Sequence, residues 1–203
     1  DLLESALTAQ SHTFLAADRV VSSSQPIPAE WQRLAHKHQL RTALKTQFAS
    51  MVYAGDEMHL AAVKAVTASY PLVGELTVSL QPFTTDKNHI TVAERGPAPG
   101  EAWIDSRLLP LLKIQLGDEL MVGEKSLIAT RVIVDEPDRG SSFGAYGARV
   151  LMNQADLAAT QVIQPGSRIT YGLLLAGPER NVETMLAELK PRLTAHEKIR
   201  DVA

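Results

Sequence analysis

Residues 100–139, GEAWIDSRLLPLLKIQLGDELMVGEKSLIATRVIVDEPDR, restrict the fold more than any other stretch of the chain. Ala102-Trp103-Ile104 reads as a strand and residues 106–112 as a short helix, followed by two strands across a tight turn. Asp105 stands just before the helix, where its carboxylate can accept the unpaired amide protons of the first turn. Gly117-Asp118 and Gly123-Glu124 are turn signals, and residues 127–134 carry the β-branched bias of a strand. The spacing predicts a compact β-rich module with one helix, closed by Glu136-Pro137-Asp138-Arg139. It contains no nucleophile, metal cluster or phosphate loop.

Around this module the chain alternates strand and helix signals. Residues 2–10 have helical spacing, and the chain opens in mid-pattern, as a piece of something longer would. Residues 14–24 read as a strand broken by Gln25-Pro26-Ile27-Pro28. Pro28 favours a helix start, and the helix expected from there to about His38 has Trp31, Leu34 and Ala35 on one face. Residues 41–54 and 57–67 read as strands meeting at Gly55-Asp56, a two-residue hairpin turn. Pro71 and Gly74 mark a boundary, with short strands after it at 75–80 and 89–94. Beyond the module come a glycine-rich loop at 140–147, a strand at 149–152, and a helix at 154–161 capped by Asn153. Gln164-Pro165-Gly166-Ser167 is a second boundary. A strand at 168–176 and an amphipathic helix to about Leu193, with Val182, Met185, Leu186 and Leu189 on its apolar face, end the pattern. The order predicts an α+β fold in which a small layer is interrupted and then completed, so that both ends lie on one layer.

Composition removes several classes of function. A formal charge of −3 and few aromatic residues (5%) argue against a nucleic-acid partner, which needs a basic face and stacking platforms. The absence of cysteine rules out disulfides and thiolate metal sites. No apolar run reaches the roughly 18 residues of a membrane-crossing helix.

Candidate chemistry is sparse. His36 and His38 point to different faces of their helix, and none of His12, His59, His89 or His196 has a partner at HExxH spacing. Ser22-Ser23-Ser24 lies outside any GxSxG elbow and reads as strand-end hydroxyls. The loop at 140–147 lacks the lysine and following helix of a phosphate loop. Phe143 and Tyr146 can serve as contact anchors or fold back over the module. Met51 and Met58, with Phe48 and Val52, can meet an apolar ligand or fill a core. Asp135-Glu136-Pro137-Asp138-Arg139 reads as a salt-bridged turn rather than a cation site. The candidate contact residues are therefore Phe143, Tyr146, Arg139, Met51 and Met58, with no catalytic, cofactor or metal residue expected.

Several motifs in order carry a family resemblance. Residues 17–28 (ADRVVSSSQPIP), Val63-Lys64-Ala65-Val66 and Tyr70-Pro71-Leu72-Val73-Gly74 resemble the YbbP-type ABC transporter permeases. Pro99-Gly100-Glu101-Ala102-Trp103, Leu116-Gly117-Asp118, Glu136-Pro137-Asp138-Arg139 and Gln164-Pro165-Gly166-Ser167-Arg168 continue the match. The resemblance places the chain in the MacB/FtsX/LolC superfamily, as a periplasmic domain of a Gram-negative inner-membrane protein. It implies a porter-like part split by an inserted β-rich part called the sabre, here residues 1–72 and 166–203 split by 73–165. It further implies no enzymatic activity in this chain and no cofactor. The implied partners are a cytoplasmic ABC ATPase subunit, a second periplasmic domain of the same permease, and a periplasmic esterase or thioesterase. The expected role is to couple ATP hydrolysis to movement of hydrophobic, lipid-like molecules. The alternatives are a free-standing hydrolase or metalloenzyme, and a free-standing ligand-binding or interaction module with no ATPase partner.

Overall fold

A computed structural model describes residues 2–3, 15–138 and 147–201. The strands are β1 (Arg19–Ser23), β2 (Arg41–Ala54), β3 (Glu57–Val66), β4 (Thr77–Ser79), β5 (Ile90–Val92), β6 (Glu101–Asp105), β7 (Glu119–Val122), β8 (Lys125–Asp135), β9 (Ala148–Asn153), β10 (Thr170–Ala176) and β11 (Glu197–Arg200). The helices are α1 (Ala29–Lys37), α2 (Leu108–Leu112), α3 (Leu157–Thr160) and α4 (Glu179–Leu189). All these strands belong to one hydrogen-bonded sheet, so the fold is α+β with a mixed sheet.

One end of that sheet has the order β11-β1-β10-β2, with every neighbouring pair antiparallel. The connection β1-α1-β2 with β10 between its strands, completed by β10-α4-β11, is the split βαβ arrangement of ferredoxin-like layers. Both helices cover the same face. Trp31, Leu34 and Ala35 of α1 and Val182, Met185, Leu186 and Leu189 of α4 pack with Val21, Leu173 and Leu175 from the strands. A buried leucine contributes about 1.5–3 kcal/mol, so this apolar face, more than intrinsic propensity, holds two short helices in place.

At the other end six strands close on themselves. Going round, β2 pairs β3, β3 pairs β9, β9 pairs β6, β6 pairs β8, β8 pairs β7, and β7 returns to β2 through Val52↔Val122 and Tyr53↔Met121. Closure removes the free edges an open sheet would expose. The interior holds Phe48, Val52, Ile104, Leu120, Val122, Leu127, Val132 and Val150, and α2 adds Leu108, Leu109 and Leu112. Gly123 permits the β7–β8 turn to dock against α3. Its φ is +54°, and a Cβ there would lie 2.2 Å from the Thr160 carbonyl oxygen, while Glu124 N–H donates to that same oxygen at 2.9 Å.

The hairpin β2–β3 belongs to both ends. The first half of β2, Arg41 to Gln47, pairs β10, and its far half forms the barrel wall. No loop or linker separates layer from barrel along these two strands. A third cluster, with Tyr70, Leu72, Leu76, Val78, Trp103, Leu151 and Leu174, fills the angle between the layer's helix-free face and the outer barrel wall.

Local expectations hold at the hairpin turn, at α1, and at Asp105, whose Oδ1 accepts the Arg107 amide at 3.0 Å. Others shift. The first strand begins only at Arg19, because the chain turns at Ala16 with φ +57°. The last helix ends at Leu189, passes through a 3₁₀ turn containing Pro191, and leads to β11, which the pattern did not suggest. Apart from Leu2 and Leu3, the helix expected at 2–10 lies outside the described residues.

Candidate functional site

The most unusual chemistry is buried where the hairpin passes from layer to barrel. Lys45 on β2 and Lys64 on β3 lie on one face of the hairpin, and both are buried among apolar neighbours. Two carboxylates from the segment after β8, Glu136 and Asp138, reach them and are each only 3% exposed. Asp138 Oδ2 accepts from Lys45 Nζ at 2.7 Å and from Lys64 Nζ at 2.8 Å. Lys64 Nζ also donates to Glu136 Oε2 at 2.6 Å, and the Tyr70 hydroxyl donates to that same oxygen. Arg149 on β9 donates to Glu136 Oε1 at 3.2 Å. Asp138 Oδ1 is buried with no hydrogen-bond partner among the described residues.

Burial by itself would raise the Asp138 carboxyl, but Lys64 and Lys45 override it and bring it down to about 2. The two lysines diverge although they share an acceptor. Burial lowers the Lys45 ammonium more than Asp138 can restore, with Lys64 repelling it from nearby. Burial also works against Lys64, yet Glu136 and Asp138 together hold it above the usual lysine value. Burial, reinforced by Glu136, holds the Tyr70 hydroxyl protonated well past its ordinary range.

Gly172 on β10 makes room for the Lys45 stem, since a Cβ there would sit 3.0 Å from Lys45 Cγ and 3.1 Å from Cε. Such a cluster is strongly directional. Removing one partner leaves a buried charge uncompensated, so the layer, the hairpin and the post-β8 segment are bound to one relative geometry. The residues can hold position but offer no reacting centre.

The sequence-predicted contact residues fall elsewhere. Met51 and Met58 lie on the outer face of the hairpin tip, Met51 half-buried and Met58 55% exposed. Tyr53 and Leu60 share that face, because alternation along β2 sends Val52 inward and Met51 and Tyr53 outward. The same face continues through Ala49 and Ala62 to Lys64 and Lys45, so the apolar tip and the buried network occupy one side of a single hairpin. Phe143, Tyr146 and Arg139 lie outside the described residues. Of the Asp135–Arg139 cluster, Glu136 and Asp138 are salt-bridged as expected, though deep inside rather than in an exposed turn.

No group of three His, Asp or Glu side chains suited to a metal occurs among the described residues. Ser24 Oγ lies 3.2 Å from His196 Nδ1, but both residues are exposed. Among the described residues no carboxylate completes a triad there. No helix among the described residues is long and apolar enough to cross a membrane.

The sequence signal that would have found the network was present. Lys64 interrupts the apolar run Leu60-Ala61-Ala62-Val63-Lys64-Ala65-Val66, where a strand buried on both faces has no place for an unpaired charge.

No protein-family profile matches the chain. Over 195 residues, 94% of its length, the chain is 33% identical to an uncharacterized ABC transporter permease, YbbP, of Escherichia coli (strain K12). It spans about a quarter of that relative, 23%. Two solved structures share its architecture. The periplasmic region of MacB from Actinobacillus actinomycetemcomitans is 12% identical, with a TM-score of 0.54 and coverage of 94% of this chain and 92% of that one. The extracellular domain of the noncanonic ABC-type transporter YknZ from Gram-positive bacteria is 9% identical, with a TM-score of 0.54 and coverage of 91% and 100%. The chain thus resembles, along nearly all of its length, one region of a YbbP-type ABC transporter permease, and its fold is that of the extracytoplasmic domains of MacB and YknZ.

Proposed function

We propose that the chain is the periplasmic domain of an ABC transporter permease in the inner membrane of a Gram-negative bacterium, and that it acts as a stiff lever. The observation that carries the lever is the β2–β3 hairpin, which runs unbroken through layer and barrel and is locked at the crossing by Lys45, Lys64, Glu136 and Asp138. Residues 1–72 and 166–203 would form the porter-like part and 73–165 the inserted sabre-like part. The hairpin extends the first segment into the second.

The layer carries β1 and β11 side by side, with Arg19 Nε 3.2 Å from Asp201 Oδ2. Movement of the membrane segments would enter there and leave at the barrel. The motor would be a cytoplasmic ABC ATPase subunit, and the moving surface would work against a second periplasmic domain of the same permease. Exposed Tyr53, Met58 and Leu60 at the hairpin tip support a hydrophobic, lipid-like cargo, handed on to a periplasmic esterase or thioesterase. The chain itself carries no enzymatic activity in this reading.

The test uses the complete permease with its ATPase subunit, reconstituted into liposomes holding a fluorescent phospholipid. ATP should drive probe out of the bilayer, and Asp138→Ala should stop this while ATP turnover continues. ATP turnover without probe movement in the parent overturns the lipid cargo. Unchanged probe movement in a folded Asp138→Ala permease overturns the lever.

A further inference from the structure

A second charged feature lies on the outer barrel wall, away from the network. Arg131 on β8 lies over the ring of Trp103 on the neighbouring strand β6, its guanidinium carbon 5.7 Å from the ring centroid. Trp103 is buried and Arg131 half-buried, with the guanidinium within cation–π range of the ring. Its guanidinium has no hydrogen bond or ion pair among the described residues. A hollow of about 480 Å³ opens beside this pair, lined also by Thr91, Val92, Ala93, Glu94 and Arg95.

The second cation there, Arg95, donates to the Gly96 carbonyl at 2.8 Å and lies 3.6 Å from Glu101 Oε1. Glu101 is occupied otherwise, accepting from the Ala98 amide at 2.8 Å and from the Thr130 hydroxyl at 2.7 Å. Glu94 lines the same hollow without an ion pair among the described residues.

A guanidinium presents its N–H donors in a planar fork that matches a planar or tetrahedral oxyanion, and the cation–π contact with Trp103 leaves those donors available. We propose that this hollow binds a small ligand through a carboxylate or phosphate group seated on Arg131 and Arg95, with its apolar portion against Val92 and Ala93. Glu94, in the same lining, is a negative charge that a bound anion would meet. The site is independent of the permease reading, since none of its residues belongs to the network or to the hairpin tip.

The chain has two tryptophans, so Trp31→Phe leaves Trp103, under Arg131, as the sole emitter. This 203-residue chain is titrated with sodium phosphate and, separately, sodium acetate, each at constant ionic strength against sodium chloride. A saturable change in emission is expected. Arg131→Gln should weaken it at least about tenfold, Arg131→Lys less, and Glu94→Gln should tighten it. Thermal melts identify any variant that has lost its fold, and Glu94→Gln, at an exposed position, keeps the comparison open if Arg131→Gln does not fold. Response to phosphate alone assigns a phosphate-bearing ligand; response to acetate assigns a carboxylate. Absence of a saturable response to either anion overturns the proposal. So do Arg131→Gln and Glu94→Gln variants that titrate as the parent does.

Discussion

Lys64 Nζ and Asp138 Oδ2 meet at 2.8 Å across 74 residues of sequence, inside the protein and at the crossing from layer to barrel. The contact joins the central hairpin to the segment leaving β8, and Lys45 reaches the same oxygen from the other strand. Asp138→Ala would leave two buried ammonium groups without their shared acceptor. A loss of about 3–5 kcal/mol in unfolding free energy is expected, read by urea denaturation. A loss under about 1 kcal/mol would mean that the lysines find water or other partners and that the network does not fix the joint.

Acid should unlock the same contact. The Asp138 carboxyl titrates near 2 in the folded chain against 3.8 ordinarily. A carboxyl lowered by folding contributes stability that is complete above the ordinary value and lost as pH falls through the folded one. The contribution, about 2 kcal/mol, should therefore disappear between about pH 4 and pH 2. Stability measured against pH should show this fall in the parent, and Asp138→Asn should flatten that part of the curve. A parent and variant with parallel curves would place the acid sensitivity elsewhere.

Gly123 and Gly55 both have positive φ but differ in their surroundings. At Gly123 a Cβ would meet the Thr160 carbonyl oxygen at 2.2 Å, whereas at Gly55 nothing lies within 4 Å. Gly55→Ala should cost about 1 kcal/mol, from left-handed backbone alone. Gly123→Ala should cost clearly more, because the β7–β8 turn must lift from α3. Equal losses in thermal melts would contradict the docking of that turn.

Two residues of the hairpin test the barrel's inside and outside. Phe48 on β2 is 3% exposed in the barrel core, and Met58 on β3, near the hairpin tip, is 55% exposed. Phe48→Ala should cost about 3–5 kcal/mol. Met58→Gln should stay within about 0.5 kcal/mol of the parent. The reverse ranking would mean that the strand register is shifted by one residue, which would exchange the two faces.

Local chemistry made much of the layer legible. Pro28, with Trp31, Leu34 and Ala35, marks α1, and Gly55-Asp56 marks the hairpin turn. Long-range pairing was not legible. The barrel closes through only Val52↔Val122 and Tyr53↔Met121, contacts that leave no periodic trace in either strand. β11 was hidden because Glu197-Lys198-Ile199-Arg200 is a short charged edge strand, the composition that keeps edges from pairing with other chains. The network was half visible. The clustered acids after β8 stood out, but their partners Lys45 and Lys64 lie far away in sequence, within strands that otherwise read as apolar.

Rigidity between layer and barrel is the central claim, and one distance reports on it directly. Spin labels on single cysteines at Asp56, in the hairpin turn, and Glu183, on the exposed face of α4, span the joint; these 203 residues contribute no native cysteine, and any in the rest of the complete protein are replaced. Double electron–electron resonance is recorded in the complete protein together with the ATPase subunit proposed for it, with and without ATP. A single narrow distance that does not change with nucleotide is expected, broadening only when Asp138→Ala is added. A distance that shifts or splits on ATP binding in the parent would show that the joint bends, and the lever would have to be abandoned.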